Sequence, residues 1–290
     1  MPAPAIFSVF SSQVPRIITG VCLAAALVAA LLSGGIYLRA ALCLVAALAL
    51  FEYFQMCWPG WKRIPGKIFG FVLCAALFCP ATQREPLVAG IVLVLAFLWA
   101  ALAFLFDFGS SNEAARFENH AILPLGILYI PLIIQFALTL SIKEQFLVVL
   151  AAIASDTAAY YAGCAFGRRK IWPLVSPKKS WEGSLAGCLA GVVTVMAIAC
   201  IPFAGGTLHG GNVLAWLGVA FILNIAAQLG DFFESALKRS HGVKDSGSIL
   251  PGHGGILDRI DAILFVLAAY SILRLVLMRG PELMRCLFPA

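Results

Sequence analysis

The sequence predicts an all-α, polytopic transmembrane helix bundle of about nine spans, with a polar site at the cytoplasmic interface. Three observations predict it. Of 290 residues, 62% are hydrophobic and 12% charged, with a mean hydropathy of +0.97, and so few polar side chains cannot cover a soluble globule. The uncharged stretches approach the roughly 20 residues that a helix needs to cross a hydrocarbon core about 30 Å thick. The charges that remain crowd together, six at residues 168–182 and nine at 231–261.

Residues 17–38 form the first apolar stretch. It lacks a basic start and many others follow, so it reads as a first span rather than a cleaved signal. Residues 40–57 come next and end among Tyr53, Trp58 and Pro59, where Glu52 reads as a structural acid at the membrane interface. Shorter or longer runs follow at 68–80, 86–106, 121–142 and 145–164. The uncharged run 183–230 is long enough for two helices, and Gly205, Gly206, Gly210, Gly211 and Asn212 break it with turn-forming residues. The last span, 257–277, carries Arg274. No linker, repeat or low-complexity segment marks a second domain. The chain reads as one membrane domain, with N-terminal spans at 1–145 and the chemistry-bearing loops at 146–290.

Nine cysteines lie mostly within apolar segments without CxxC spacing, which makes them packing residues rather than zinc ligands or a redox pair. No basic run is interleaved with aromatics, so nucleic acid is not an expected partner. Counted on alternate sides of nine spans, 14 of the 20 Lys and Arg fall on one side. Cytoplasmic loops are the enriched ones; the N-terminus and both charged loops are therefore expected in the cytoplasm, an orientation that fits a bacterial inner membrane.

Topology accounts for the basic residues but not for the acids, which contribute little to orientation. In a helix continuing past Gly230, Asp231, Glu234, Ser235 and Lys238 share one face, and Asp258 and Asp261 repeat the i, i+3 spacing at the start of the last span. Close-set carboxylates at two helix ends suit a hard divalent cation such as Mg2+; the structural alternative is an ion-pair network with Lys238, Arg239 and Arg259. Between them lies a Gly- and Ser-rich segment with Lys244, Asp245, His253, Gly254 and Gly255. Its backbone N–H groups, running into a helix N-terminus, suit phosphate oxygens. A third cluster starts within the membrane, where Asp156, Tyr160 and Gly163 share a helical face. An intramembrane carboxylate is by default functional or interhelical. The segment that follows, with Ser176, Lys178, Lys179 and Trp181, fits either an anion site or interfacial anchoring.

Taken together these residues resemble the phosphatidate cytidylyltransferase, or CDP-diacylglycerol synthase, family. Ser235, Leu237, Lys238, Arg239, Lys244, Asp245, Pro251, His253, Gly254, Gly255, Asp258, Arg259 and Asp261 stand at the spacing of its S-x-L-K-R, K-D and H-G-G-x-x-D-R-x-D pattern. Asp156, Thr157, Ala159, Tyr160, Gly163 and Gly167 resemble its D-T-x-A-Y-x-x-G-x-x-x-G, and residues 176–183 its S-P-K-K-S-W-E-G. The chain departs from the pattern at Cys164 and Ala262. The resemblance covers roughly the C-terminal half.

The resemblance implies that a phosphatidate phosphate oxygen attacks the α-phosphorus of CTP, giving CDP-diacylglycerol and pyrophosphate. CTP, phosphatidate and membrane lipid are then the partners, with a second copy of the chain, in a homodimer, a further candidate. It implies Asp231, Asp258 and Asp261 as ligands of Mg2+ in a one- or two-metal site. Lys178, Lys179, Lys238, Arg239, Lys244 and Arg259 become phosphate contacts, with Ser176, His253, Gly254 and Gly255 beside the substrates and Asp156, Tyr160 and Asp245 completing the polar cavity. The rivals are an enzyme acting on another lipid phosphate or prenol, and an ion-coupled transporter, whose site belongs near the bilayer midplane rather than at one surface.

Overall fold

The computed structural model describes residues 5–60, 63–81, 85, 87–110, 115–201, 213–250 and 254–287, with side chains within 19–277. Hydrocarbon offers no partner to a backbone N–H or C=O, so an apolar chain satisfies these groups within helices. Among the described residues there are isolated β-bridges but no strand. The helices are α1 (Ala5–Ser33), α2 (Gly35–Cys57), α3 (Ile64–Leu77), α4 (Leu87–Gly109), α5 (Glu118–Thr139), α6 (Ile142–Phe166), α7 (Trp181–Cys200), α8 (Val213–Ser240) and α9 (Leu257–Leu287). Seven of them, α2 and α4 to α9, contain a stretch long and apolar enough to cross a membrane. The described part of α1 (Thr19–Ser33) and α3 are shorter apolar helices. Length and composition thus support seven of the nine expected crossings.

The chain divides into two compact units, residues 1–138 with 241–259, and residues 139–240 with 260–290. Residues 241–259, which the sequence groups with the C-terminal motifs, therefore fold with the N-terminal helices.

In the first unit, Leu50 and Phe54 of α2, Leu77 of α3, and Leu123 and Ile127 of α5 are fully buried. Glycines let rings approach backbone: a Cβ at Gly70 would lie 2.7 Å from the Phe54 ring, and one at Gly126 2.7 Å from that of Tyr53. Close approach of this kind is how membrane helices gain packing contacts without a hydrophobic drive between them. Pro124 and Pro131 lie within α5, and Leu128–Leu132 forms a π-helical turn; proline removes an N–H from the ladder, which widens it locally. Arg63, in the left-handed conformation at the start of α3, bonds Asp107 at 3.1 Å and His120 at 3.0 Å.

The second unit is built on α6, α7 and α8. Gly183, Gly187 and Gly191 recur every fourth residue on α7 and face its neighbours. A Cβ would lie 2.6 Å from the Ala159 carbonyl at Gly183, 2.7 Å from the Ser155 carbonyl at Gly187, and 1.8 Å from the Asn224 amide at Gly191. Ser141 and Glu144 form a capping box that starts α6.

Candidate active site

Residues 168–180 arrive between α6 and α7 and are fastened at their base. Ser180, 2% exposed, caps α7 by accepting the Gly183 N–H at 3.2 Å. Glu182, in the first turn, accepts the N–H groups of Arg168 at 3.1 Å and Arg169 at 3.3 Å. The Trp181 N–H reaches back to the Arg169 carbonyl at 2.9 Å. Ser176 and Lys179 lie in consecutive backbone turns, with the Lys179 N–H on the Ser176 carbonyl at 3.3 Å, while Lys178 is exposed.

This anchoring delivers Lys179 to α8, where it forms an ion pair with Asp231. Its ammonium also stands 4.5 Å from the Phe232 ring centroid, a favourable cation–π distance. Ser235, one turn on, donates to the Asp231 carboxylate at 3.3 Å. Lys238 pairs with Glu234, which is fully buried; Arg239 is exposed. Asp261 is 8% exposed, and its carboxylate accepts the Ala262 N–H at 2.8 Å. Asp231, Glu234 and Asp156 all lie within electrostatic reach of Asp261. Carboxylates from α6, α8 and α9 therefore share one neighbourhood, with Lys179 as a counter-charge at Asp231. Tyr160 is exposed and stacks edge-on to Tyr161 at 5.4 Å.

Beside Lys179 opens an apolar cavity of about 590 Å³, lined by Trp172, Leu174, Leu229, Phe232, Phe233 and Phe265. Phe232 joins the two, since it lines the cavity and carries the Lys179 ammonium over its ring.

In the first unit, two carboxylates organise the described residues on either side of 251–253, through Ser246 and residues 255–257. Asp258 accepts the N–H groups of Ser246 at 3.0 Å and Gly255 at 2.8 Å. Glu52 of α2 accepts the Ser246 hydroxyl at 3.2 Å and the N–H groups of Ile256 at 3.0 Å and Leu257 at 2.8 Å. Four donors expected to face phosphate oxygens are thus already engaged by carboxylates, a different use of the same helix-end physics. Gly254 has φ +80, and a Cβ there would sit 2.8 Å from Asp258 Oδ2. Lys244, Asp245 and Arg259 are exposed; His253 lies outside the described residues.

The sequence missed two features. Glu52 reads there as an interfacial structural acid, whereas it is 1% exposed; the signal available was an acid inside an apolar run. The four-residue glycine repeat of α7 was visible as small-xxx-small spacing, of which only Gly183 was singled out.

The donor set suits a hard cation. Of the three expected ligands, Asp231 and Asp261 share a neighbourhood with Asp156 and offer carboxylate oxygens without thiol or imidazole, as Mg2+ prefers. The Asp258 carboxylate is engaged by the Ser246 and Gly255 amides. Among the described residues no three such side chains are already drawn together at coordinating distance.

The model of the cytidylyltransferase family matches residues 14–277. The chain belongs to the cytidylyltransferase family. Phosphatidate cytidylyltransferase of Staphylococcus aureus (strain COL) is 32% identical over 253 residues, covering 84% of this chain and 92% of its own length. The protein of that name from Bacillus subtilis (strain 168) is 31% identical over 263 residues, covering 87% and 94%. That from Staphylococcus epidermidis (strain ATCC 12228) is 33% identical over 252 residues, covering 84% and 92%. Likeness to these cytidylyltransferases extends well beyond the C-terminal half in which the motifs lie.

Proposed function

We propose that this integral membrane protein is a phosphatidate cytidylyltransferase, making CDP-diacylglycerol and pyrophosphate from CTP and phosphatidate for phospholipid synthesis. The observation that carries the reading is Lys179 itself. Its ammonium is held between a carboxylate cluster and the aromatic wall of an apolar cavity, where the phosphate of a lipid whose chain lies in that cavity is expected. At about 590 Å³ the cavity falls in the range of ligand sites.

In the transfer, a phosphatidate phosphate oxygen forms a bond to the α-phosphorus of CTP while the bond from that phosphorus to the bridging oxygen breaks, and pyrophosphate leaves with the electron pair. The nucleophile is already ionised near neutral pH, so positioning and charge neutralisation matter more than a general base. Lys179 neutralises and orients phosphate. Lys178, Lys238, Arg239, Lys244 and Arg259 are further phosphate contacts, and Asp231, Asp261 and Asp258 the ligands that would hold Mg2+. Bound there, Mg2+ supplies positive charge to phosphate oxygens.

Helices α7 and α8 separate the two charged loops in the sequence, an even number of crossings, so whether seven or nine helices cross, both loops fall on one side. The excess of Lys and Arg makes that side cytoplasmic, where CTP is found. In a bacterium this is the inner membrane.

Purified protein in detergent, given CTP, Mg2+ and phosphatidate, is expected to yield equimolar CDP-diacylglycerol and pyrophosphate. Absence of both across divalent metals and phosphatidates of several chain lengths refutes the assignment.

A further inference from the structure

Glu52 lies in α2, inside the stretch that matches the family model but outside the motif segments of the C-terminal half. Its carboxylate is enclosed by backbone from nearly 200 residues further on. A Cβ at Gly247 would lie 2.5 Å from Glu52 Oε1, and one at Gly255 would lie 2.4 Å from Glu52 Oε2. A buried carboxylate is costly unless it accepts hydrogen bonds, and this one accepts three, from the Ser246 hydroxyl and the Ile256 and Leu257 amides.

The need for an outside acceptor is local. A helix leaves its first N–H groups without partners, and Ser, Thr, Asp or Asn just before it normally accepts one of them. The residue before α9 is Ile256, which has no acceptor to offer. Glu52 takes that place from another helix. Asp258 is then left to bind the Ser246 and Gly255 amides, and Ser246 is tied to both acids. Without Glu52, the Ile256 and Leu257 amides lose the acceptor they have, next to an Asp258 carboxylate that already accepts the adjacent Gly255 amide.

We propose that Glu52 is a positioning residue of the transfer reaction: by capping α9 from α2, it fixes the direction of the Asp258 carboxylate and the placement of Ser246 beside it. The proposal rests on the assignment of Asp258 to the transfer site. It gives the N-terminal half a part in the chemistry that the motifs alone do not show.

The test compares full-length wild type, Glu52→Gln and Glu52→Asp in detergent by steady-state kinetics and amide hydrogen exchange. Glu52→Gln keeps the size but turns an NH2 donor toward amide donors. A displaced catalytic group costs about 100-fold in rate, so kcat is expected to fall by that order, with the phosphatidate KM within about twofold of wild type. The Mg2+ concentration for half-maximal activity should rise, and peptides covering 245–258 should exchange about tenfold faster, with α3 and α5 unchanged. Glu52→Asp keeps the charge and should recover part of kcat. Unchanged kcat, or a loss of kcat with exchange at 245–258 unaltered, overturns the proposal. Should Glu52→Gln not fold, Ser246→Ala removes one donor and is read by the same two measurements. Were wild type to make no CDP-diacylglycerol, the transfer reading fails, while the exchange comparison still decides separately whether Glu52 holds the loop.

Discussion

Lys179 and Asp231 form an ion pair in which the side chains are only 26% and 27% exposed, and the lysine ammonium rests over Phe232. A cation held so closely is pre-positioned rather than recruited. Substituting Lys179 by Ala removes a fixed charge where phosphate charge is expected, which typically costs about 10²- to 10³-fold in kcat. Lys179→Arg keeps the charge in a different shape and is expected to recover part of that loss. Initial rates of pyrophosphate release measure both; wild-type kinetics in Lys179→Ala contradict the role.

Asp258 has two duties, as a candidate metal ligand and as acceptor for the Ser246 and Gly255 amides. Asp258→Asn should abolish measurable turnover. Because the Ser246 and Gly255 amides both lose a charged acceptor, it should also cost about 1–3 kcal/mol of stability, less than global unfolding. Thermal melting followed by size-exclusion chromatography, alongside the activity assay, separates the two effects. Retained activity removes Asp258 from the metal set.

The cavity bordered by Phe232 gives a prediction about lipid preference. Phe233→Ala removes an aromatic side chain from the lining while leaving Lys179, Asp231 and Phe232 in place. The KM for long-chain phosphatidate is expected to rise about tenfold, the scale of a lost apolar contact, with the CTP KM unaltered. Equal changes for short and long chains would argue that the acyl chain lies elsewhere.

Much of this was legible before any coordinates. Four of the seven candidate crossing helices, α4, α5, α7 and α8, follow from uncharged runs and the other three from apolar runs that carry a charge, because in lipid length and hydropathy leave the backbone no other solution. Spacing and family resemblance grouped Asp231 with Asp258 and Asp261 and put Asp156 in the polar cavity, but did not show that Asp156 shares a neighbourhood with Asp231 and Asp261. What was hidden is of one kind: partnership between residues distant in sequence. Glu52 looks like any acid near a membrane surface until the Ile256 and Leu257 amides are seen to need an acceptor. The Gly-rich segment looks like a phosphate cradle until its donors are found in the hands of carboxylates.

The glycine repeat of α7 shows the same limit in packing. Gly187→Ala places a Cβ 2.7 Å from the Ser155 carbonyl, and backbone cannot yield as a flexible side chain does. The helices must separate, at about 1–3 kcal/mol for overpacking. A melting temperature lowered in detergent, with unchanged CTP KM in the folded fraction, is the expected result. By contrast Gly90→Ala, where a Cβ meets nothing within 4 Å, should leave melting unchanged.

Arg274 poses the remaining question, since a charge within the last span is costly in lipid. In the structure its Nε lies 3.0 Å from Glu144 Oε1 and its Nη1 donates to the Thr139 carbonyl at 2.9 Å. Tyr270 donates to the same carboxylate at 3.0 Å, and Glu144 in turn caps the start of α6 through the Ser141 N–H at 2.7 Å. Glu144 is 1% exposed, so the arginine is tolerated because it neutralises a carboxylate that holds a helix end. Removing the arginine leaves the buried Glu144 charge without its partner, a loss toward the lower end of about 3–5 kcal/mol because the arginine side chain is itself 28% exposed. Arg274→Leu should therefore melt well below wild type although it makes the span more apolar. Arg274→Leu combined with Glu144→Gln removes the stranded charge and should regain much of the loss. A single variant as stable as wild type would mean that the pair contributes nothing, and equal losses in the single and double variants would place the effect outside it.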